Sequence, residues 1–190
     1  MKTFLLASAA LACLSLAASA QAPVTPGAVK LGKVAPAMVK TPECALSSGP
    51  VKRTGRAQEW FEIEVEYETK PEEIDELTFK FTAQIAKQLV TGEVTYQNIA
   101  AARDHFAVIY ISPKGLEKLL GKTPLGPNSI ENVWVEVNHQ GQTLGKEGEA
   151  AFKPQAKPNA QQKPGFMLTK SQTPFAPLWY DRYEEIKASK

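Results

Sequence analysis

Apolar and polar side chains alternate along the middle of the chain, and this alternation predicts β-strands. From Trp60 onward, single glutamates separate Phe61, Ile63, Val65 and Tyr67. Successive side chains of a strand point to opposite faces, so this stretch predicts one apolar and one acidic face. Similar patterns predict further strands over Leu77–Ile85, Glu93–Ile99, Phe106–Ile111, Val133–Val137, a partner around Gln142–Phe152, and Phe166–Thr169.

Two short segments carry helical signals. Ser112-Pro113 is typical of a helix start, because serine caps the first turn and proline fits its first position. The leucines within residues 116–120 give that helix one apolar face. A second short helix is predicted at the C-terminus from the helical spacing of Trp179, Tyr183 and Ile186.

Short strands at regular intervals, with one helical insertion, predict an immunoglobulin-like antiparallel β-sandwich. A small antiparallel barrel is the alternative, and the missing βαβ alternation disfavours a parallel α/β sheet. The predicted divisions are a signal peptide (1–20), a Pro-rich extended leader (21–50), the sandwich (51–152), a Pro/Lys/Gln linker-like loop (153–165), and a C-terminal strand and short helix packed on the sandwich (166–190).

The N-terminus predicts export. Lys2 precedes an uncharged run rich in Leu and Ala, and Ala18-Ser19-Ala20 supplies the small residues that signal peptidase requires, with cleavage before Gln21. The apolar run is shorter than the ~20 residues that span a bilayer, and no later segment is long enough. We therefore expect a protein of the periplasm, the outer membrane or the cell surface, with no transmembrane segment after cleavage.

The two cysteines leave one question open and answer another. Ala10-Leu11-Ala12 before Cys13 allows lipidation at that cysteine as an alternative to simple cleavage. Cleavage before Gln21 would leave Cys44 alone, and a single cysteine excludes a disulfide within the mature chain. The core must therefore stabilise the domain.

Charge gives no reason to expect nucleic acid as a partner. The mature chain keeps 21 basic and 20 acidic side chains, and such a balance lacks the basic excess that phosphate binding requires. Envelope or pilus proteins, or a second copy of the chain, are the expected partners.

An acidic stripe is predicted along the strand that begins near Trp60. It consists of Glu62, Glu64, Glu66 and Glu68. Carboxylates two residues apart on a strand lie ~6.6–7 Å from each other in a line, whereas calcium needs six to eight converging oxygens. We expect a solvated face paired with lysines such as Lys80, or a charged docking stripe.

Catalytic and metal-binding motifs are poorly supported, so we expect no enzyme, no metal and no cofactor. His105 and His139 form no H-x-x-x-H pair and no C-x-x-C motif is present. Ser47-Ser48-Gly49 lies in the Pro-rich leader, without the strand-to-helix turn of a nucleophile elbow. We expect His139 to be a solvated turn residue and His105 to form a polar pair at a strand end.

The C-terminal segment is unusually aromatic. Its candidate interaction residues are Phe175, Trp179, Tyr180, Arg182 and Tyr183. Trp, Tyr and Arg dominate interface hot spots, which favours an anchor for a partner. The alternative is that the segment folds back and closes the core of its own domain.

At Thr173-Pro174-Phe175-Ala176-Pro177-Leu178-Trp179-Tyr180-Asp181-Arg182-Tyr183, together with the strands of residues 60–152, the chain resembles small secreted proteins of verrucomicrobial bacteria found with type IV pilus-like gene clusters. The resemblance implies an immunoglobulin-like sandwich and a role near pilus assembly or the cell surface. It brings no catalytic residues.

The expected mature start departs from a true pilin, which is cut before a Phe or Met that opens a long apolar helix. Here cleavage would leave Gln21-Ala22-Pro23, which indicates an accessory protein rather than a fibre subunit. The leading hypothesis is an exported, non-enzymatic Ig-like module for protein contacts at the cell envelope. A carbohydrate-binding or adhesin module is the first alternative, and a hydrolase is the disfavoured one.

Overall fold

The chain forms two facing β-sheets, seen in a computed structural model that describes residues 24, 27–42, 57–121, 129–148, 162–177 and 182–188. Sheet A has the strand order β1-β2-β5-β9, and sheet B the order β10-β4-β3-β6-β7 with β8 also paired to β4. The strands are β1 (Val29–Lys40), β2 (Glu59–Thr69), β3 (Ile74–Ile85), β4 (Gln88–Ile99), β5 (His105–Ile111), β6 (Ile130–His139), β7 (Gln142–Gly148), β8 (Gln162–Pro164), β9 (Met167–Leu168) and β10 (Glu185–Ile186). All strand pairs are antiparallel except β4 with β8. The predicted antiparallel β-sandwich is confirmed.

The core lies between the sheets and comes from the alternation seen in the sequence. On β2, Ile63, Val65 and Tyr67 are fully buried, and on β3 Phe79 and Phe81 face them from sheet B. Apolar inner faces of two sheets interdigitate in this way in sandwiches. The patterned stretch therefore positions the acidic residues of β2 on the outer face of sheet A.

The predicted helical insertion is present as α1 (Pro113–Leu120). The Ser112 hydroxyl accepts a hydrogen bond from the Gly115 amide (3.1 Å), which satisfies one of the free donors of the first turn. Its leucines are buried, and the helix ends at Gly121, whose φ of 63° suits glycine.

The predicted C-terminal helix is wrong for the residues that the structure describes there. Tyr183 forms a parallel bridge with Phe106, and β10 pairs with Gln97 and Tyr96 of β4. The edge of β4 offers backbone partners along its length, and pairing with it outweighs a weak helical spacing in so short a segment. Trp179, the first residue of the predicted helical face, lies outside the described residues.

The predicted leader contains a full strand. β1 pairs with β2 from Val29 to Lys40, within the stretch predicted to be an extended leader. Pro36 is tolerated because an edge strand needs hydrogen bonds on one side only. The end of the predicted linker is also a strand, since Gln162–Pro164 pairs with β4. The segment predicted to be a signal peptide, Cys13 and Cys44 lie outside the described residues.

After β7, the described part of the chain crosses between the two sheets twice more, on the side where the loop after β4 already leads into β5. It leaves β4 at Pro164 and joins β5 at Met167, and it later joins β5 at Tyr183 and β4 at Glu185. We call the side formed by β4 and β5 the closed side. The side formed by β1 and β7 has no such crossing among the described residues, and we call it the open side. Among the described residues, no helix is long and apolar enough to cross a membrane.

Candidate functional site

The acidic stripe runs along the middle of the outer face of sheet A, because β2 lies between β1 and β5. Its members do not share one environment. Glu66 is exposed, whereas Glu62, Glu64 and Glu68 are half-buried. The expected partner Lys80 lies elsewhere, on β3 of sheet B opposite Glu93 and Glu136. The stripe is therefore a solvated face only in part.

The C-terminal segment covers one end of this face with an aromatic cluster. Phe175 is buried and stacks on Tyr110, with 4.6 Å between ring centroids and 9° between ring planes. Its ring also meets Trp60 edge-on at 5.8 Å. Together with Val108, these residues form a second apolar cluster outside the main core.

Arg182 and Tyr183 contact the acidic stripe directly. The Arg182 guanidinium and the Tyr183 hydroxyl both donate to the Glu64 carboxylate. Arg182 also lies 3.6 Å from the centroid of the Phe106 ring, in cation–π geometry. Two features that the sequence predicts separately, the acidic stripe and the C-terminal anchor, thus bind each other within one chain.

Burial beneath this segment changes the acidity of the groups involved. Burial raises the pKa of Glu62, an effect that a hydrogen bond from Tyr110 partly offsets. Burial also raises the pKa values of Tyr110 and Tyr183, so both phenols stay neutral and act as donors to carboxylates. At the exposed end, the hydrogen bond from Lys70 lowers the pKa of Glu68.

The candidate interaction residues fall into two groups. Phe175, Arg182 and Tyr183 lie on their own sheet A, as the alternative of a segment that folds back requires. Trp179 and Tyr180 lie outside the described residues. Their role as an anchor for a partner stays a prediction, as does a docking role for the acidic stripe.

Both histidines are buried, which corrects the expectation of a solvated turn for His139. That residue ends β6 with 6% of its surface exposed, and its Nδ1 lies 2.8 Å from the carbonyl oxygen of Glu76. The turn itself consists of Gln140 and Gly141, whose positive φ angles suit a tight hairpin. The exposed polar positions of the hairpin therefore lie just after the histidine.

His105 has polar partners on both ring nitrogens. Nε2 lies 2.8 Å from the carbonyl oxygen of Ala100, and Nδ1 lies 2.8 Å from Oε1 of Glu184. The ring stacks on Tyr67 with 5.0 Å between centroids. Asp104 is not its partner, and the sequence pattern could not reveal Glu184, which lies 79 positions away along the chain.

A cleft of about 940 Å³ opens on the closed side between the two crossings. Val94, Met167 and Ile186 contribute apolar lining, and the remaining lining is mostly polar. No aromatic side chain of the described residues lines it. Within the same residues, no group of three or more His, Cys, Asp or Glu side chains is placed to hold a metal ion.

The comparisons with known proteins agree with this architecture. A protein-family model matches residues 20–190, so the chain belongs to that family. A crystal structure of a protein from Akkermansia muciniphila, a verrucomicrobial bacterium, superposes with a TM-score of 0.70 at 24% identity. The match covers 85% of this chain and 94% of the other, and it shows a shared fold. A search of curated proteins gave no match.

Proposed function

We propose that this chain is an exported, non-enzymatic Ig-like module that makes protein–protein contacts at the cell envelope. Its assignment as an accessory protein of a type IV pilus-like system rests on the sequence resemblance. The resemblance to verrucomicrobial proteins gains support from the Akkermansia structure, which comes from the same bacterial group.

The observation that carries the proposal is Met38 on β1. It is the one large hydrophobic side chain that the described residues leave exposed, at 38%. Met38 is paired with Phe61, whose side chain is buried in the core. Met38 therefore lies on the core-facing side of sheet A, at a corner that sheet B does not cover.

The edge of β1 fits an extended partner. β2 occupies one side of β1, and no strand among the described residues pairs with the other. An unpaired edge presents backbone donors and acceptors that another chain can use. Within β1, Lys30, Lys33 and Lys40 are its only charged residues. We infer that the partner is an extended segment with acidic residues and an apolar side chain for the corner at Met38.

A non-enzymatic role is supported by what the polar groups already do. The ring nitrogens of His105 contact a backbone carbonyl and Glu184 instead of a hydroxyl or thiol nucleophile. As far as the described residues go, the cleft on the closed side lacks the aromatic platform on which sugars commonly stack. Protein recognition through a sheet edge needs neither feature.

The test is capture of envelope proteins on the immobilised mature chain, residues 21–190, with chemical cross-linking to locate the contact. We expect cross-links to β1 and loss of capture in Met38→Glu, which replaces the apolar contact and repels acidic residues of the partner. The matched control is Ala101→Glu, which adds the same side chain at an exposed loop position. Both variants should keep the wild-type melting temperature.

Capture that survives Met38→Glu unchanged, or cross-links confined to other surfaces, would contradict the β1 proposal. A glycan array with the same protein separates the main alternative. Binding to a defined glycan, with no protein captured, would favour a carbohydrate-binding module.

A further inference from the structure

Residues 182–187, which form the last described crossing on the closed side, join the two sheets and are called the clasp. The Lys187 amide donates to the Thr95 carbonyl at 2.8 Å, next to the pairing of β10 with β4. The clasp also joins sheet A through Tyr183 and Phe106. While it is docked, this part of the β4 edge is closed to any other strand.

The proton count at His105 follows from its two partners. A backbone carbonyl can only accept, so Nε2 of His105 carries a hydrogen toward Ala100. Nδ1 faces Oε1 of Glu184, and an ionised carboxylate can also only accept. A neutral imidazole beside an ionised Glu184 would therefore place two lone pairs against each other at 2.8 Å.

The docked pair consequently holds one proton between its members. The proton lies on Nδ1 as an imidazolium–carboxylate pair, or on Glu184 as a carboxylic acid donating to the imidazole. Both arrangements give the same count. His105 is 5% exposed, so water does not readily replace the missing hydrogen bond. A released clasp leaves each group to titrate separately.

Other titratable groups near the contact between His105 and Glu184 do not provide its shared proton. The Tyr67 ring stacks on His105 from β2, and burial raises the pKa of its phenol, so it stays neutral. Burial likewise raises the pKa of Tyr96 on β4. Arg103 and Asp104 lie in the loop that leads into His105. On the clasp, Arg182 is engaged with Glu64.

We propose that residues 182–187 form a proton-linked clasp, docked while His105 and Glu184 share a proton and released from the edge of β4 when the proton is lost. Docking is strongest where His105 and Glu184 together hold one proton, and it weakens when that proton is lost or a second one is gained. On the alkaline side the docked state holds one more proton than the released state, so the equilibrium constant for docking falls about tenfold per pH unit until the docked pair deprotonates.

The acid and alkaline limbs have different causes. Acidification protonates Glu184, and it also removes the charge from Glu64 and Glu76, which pair with Arg182 and Lys187. Glu184 and the partners of Arg182 and Lys187 all contribute to the acid limb. On the alkaline side the His105–Glu184 pair loses its proton, and a second group can contribute there: burial lowers the pKa of Lys170, whose ammonium lies 5.1 Å from the centroid of the Tyr183 ring. The diagnostic observation is therefore the change of the alkaline limb in a variant of the pair itself.

The test is amide hydrogen exchange of the full mature chain from about pH 4 to 9, corrected for the intrinsic exchange rate. The reporter is the protection of the Lys187 amide, which is hydrogen-bonded to Thr95 only while the clasp is docked. We expect protection of the Lys187 amide to pass through a maximum within this pH range and to fall by about tenfold per pH unit on its alkaline side. The amide of Phe81 reports global opening, because β3 lies between β4 and β6 and does not touch the clasp there.

Glu184→Gln gives the sharpest variant. Its amide can donate to neutral Nδ1 of His105, so the clasp should stay docked through the alkaline range and lose that limb. Glu185→Gln is the matched control, because Glu185 accepts from Asn98 at 3.1 Å and does not touch His105. We expect that variant to keep the alkaline limb. His105→Gln should also remove the alkaline limb of Lys187 protection while the protein stays folded.

Flat protection of Lys187 between about pH 6 and 9 in the wild-type chain would overturn the proposal. The proposal would also be overturned if the protection of Lys187 fell with the same slope on the alkaline side in Glu184→Gln and in Glu185→Gln. Loss of Lys187 and Phe81 protection together would assign the change to global unfolding and also overturn the proposal. The proposal does not depend on the partner inferred for β1.

Discussion

The two sides of the sandwich close their edges by different means. On the closed side the backbone itself pairs with β4 and β5, through β8, β9 and the clasp. On the open side β1 relies on side chains and local geometry, with lysines, Pro36 and a register shift between Leu31 and Val34. The first device blocks strand addition at β4 and β5, whereas the second only discourages uncharged or basic strands from adding to β1. The second leaves the end of β1 near Met38 accessible, which is why we place the contact surface there.

The largest expected difference between the sides concerns apolar packing. Phe175→Ala, in the segment between the two crossings of the closed side, should lower the free energy of unfolding by about 3 kcal/mol, since it removes a buried ring stacked on Tyr110. Met38→Ala on the open side should change it by less than about 0.5 kcal/mol, because that side chain is exposed. Urea unfolding measures both. If Phe175→Ala lowered the free energy of unfolding as little as Met38→Ala does, the C-terminal segment would not be part of the fold.

Gly92 and Gly145 allow a comparison of how tightly the backbone is packed on the closed side and on the open side. A Cβ at Gly92 would overlap Met167 and lie 2.7 Å from Cδ1 of Ile109, where the first crossing passes over β4. A Cβ at Gly145 would lie 3.4 Å from Val137, an ordinary contact. We expect Gly92→Ala to cost about 2 kcal/mol and Gly145→Ala to be close to neutral. Thermal melts of the two variants suffice, and a neutral Gly92→Ala would contradict the close approach.

A smaller effect is expected where the Tyr183 hydroxyl donates to Glu64. Tyr183→Phe should lower the free energy of unfolding by about 1 kcal/mol, because the partner is charged but half-buried. Tyr110→Phe makes the matching change at Glu62, to which the Tyr110 hydroxyl is hydrogen-bonded. Circular dichroism melts near pH 6 would measure both losses. An unchanged melting temperature in Tyr183→Phe would show that the contact contributes nothing to docking.

The smallest expected effect is electrostatic and depends on pH. Because burial raises the pKa of Glu62, the stability linked to its protonated form is complete below the pH at which the unfolded carboxyl titrates. This contribution to stability is lost as the pH rises through the raised pKa of Glu62. Glu62→Gln should therefore gain stability relative to the wild type as the pH rises from about 3 to 7. Glu66→Gln, at an exposed position of the stripe, should show a smaller change in urea unfolding over the same range.

The fold was largely predictable because the strands of the core alternate cleanly. β2 and β3 follow the predicted pattern, and Ser112-Pro113 begins α1 as expected. β1 was underestimated because prolines conceal an edge strand, where half of the backbone hydrogen bonds are not needed. The clasp was mistaken for a helix because three apolar residues at helical spacing say nothing about a vacant strand edge elsewhere in the chain.

The site was less predictable than the fold. The acidic stripe and the aromatic segment were both visible in the sequence, and the opposite charge on Arg182 was the one signal that connects them. The pairing of Glu184 with His105 has no local pattern, since it depends on how the chain returns to β5. Contacts between distant segments are set by tertiary structure, which single-sequence periodicity does not report.

Native-state hydrogen exchange tests the central claim, that one side is closed by the chain and the other is left open. We expect slow amide exchange at Val108 and Lys187 near pH 5.5, and faster exchange at those amides of β1 between residues 35 and 40 that face away from β2. A C-terminal segment that exchanges like an unstructured tail, while the core stays protected, would contradict it.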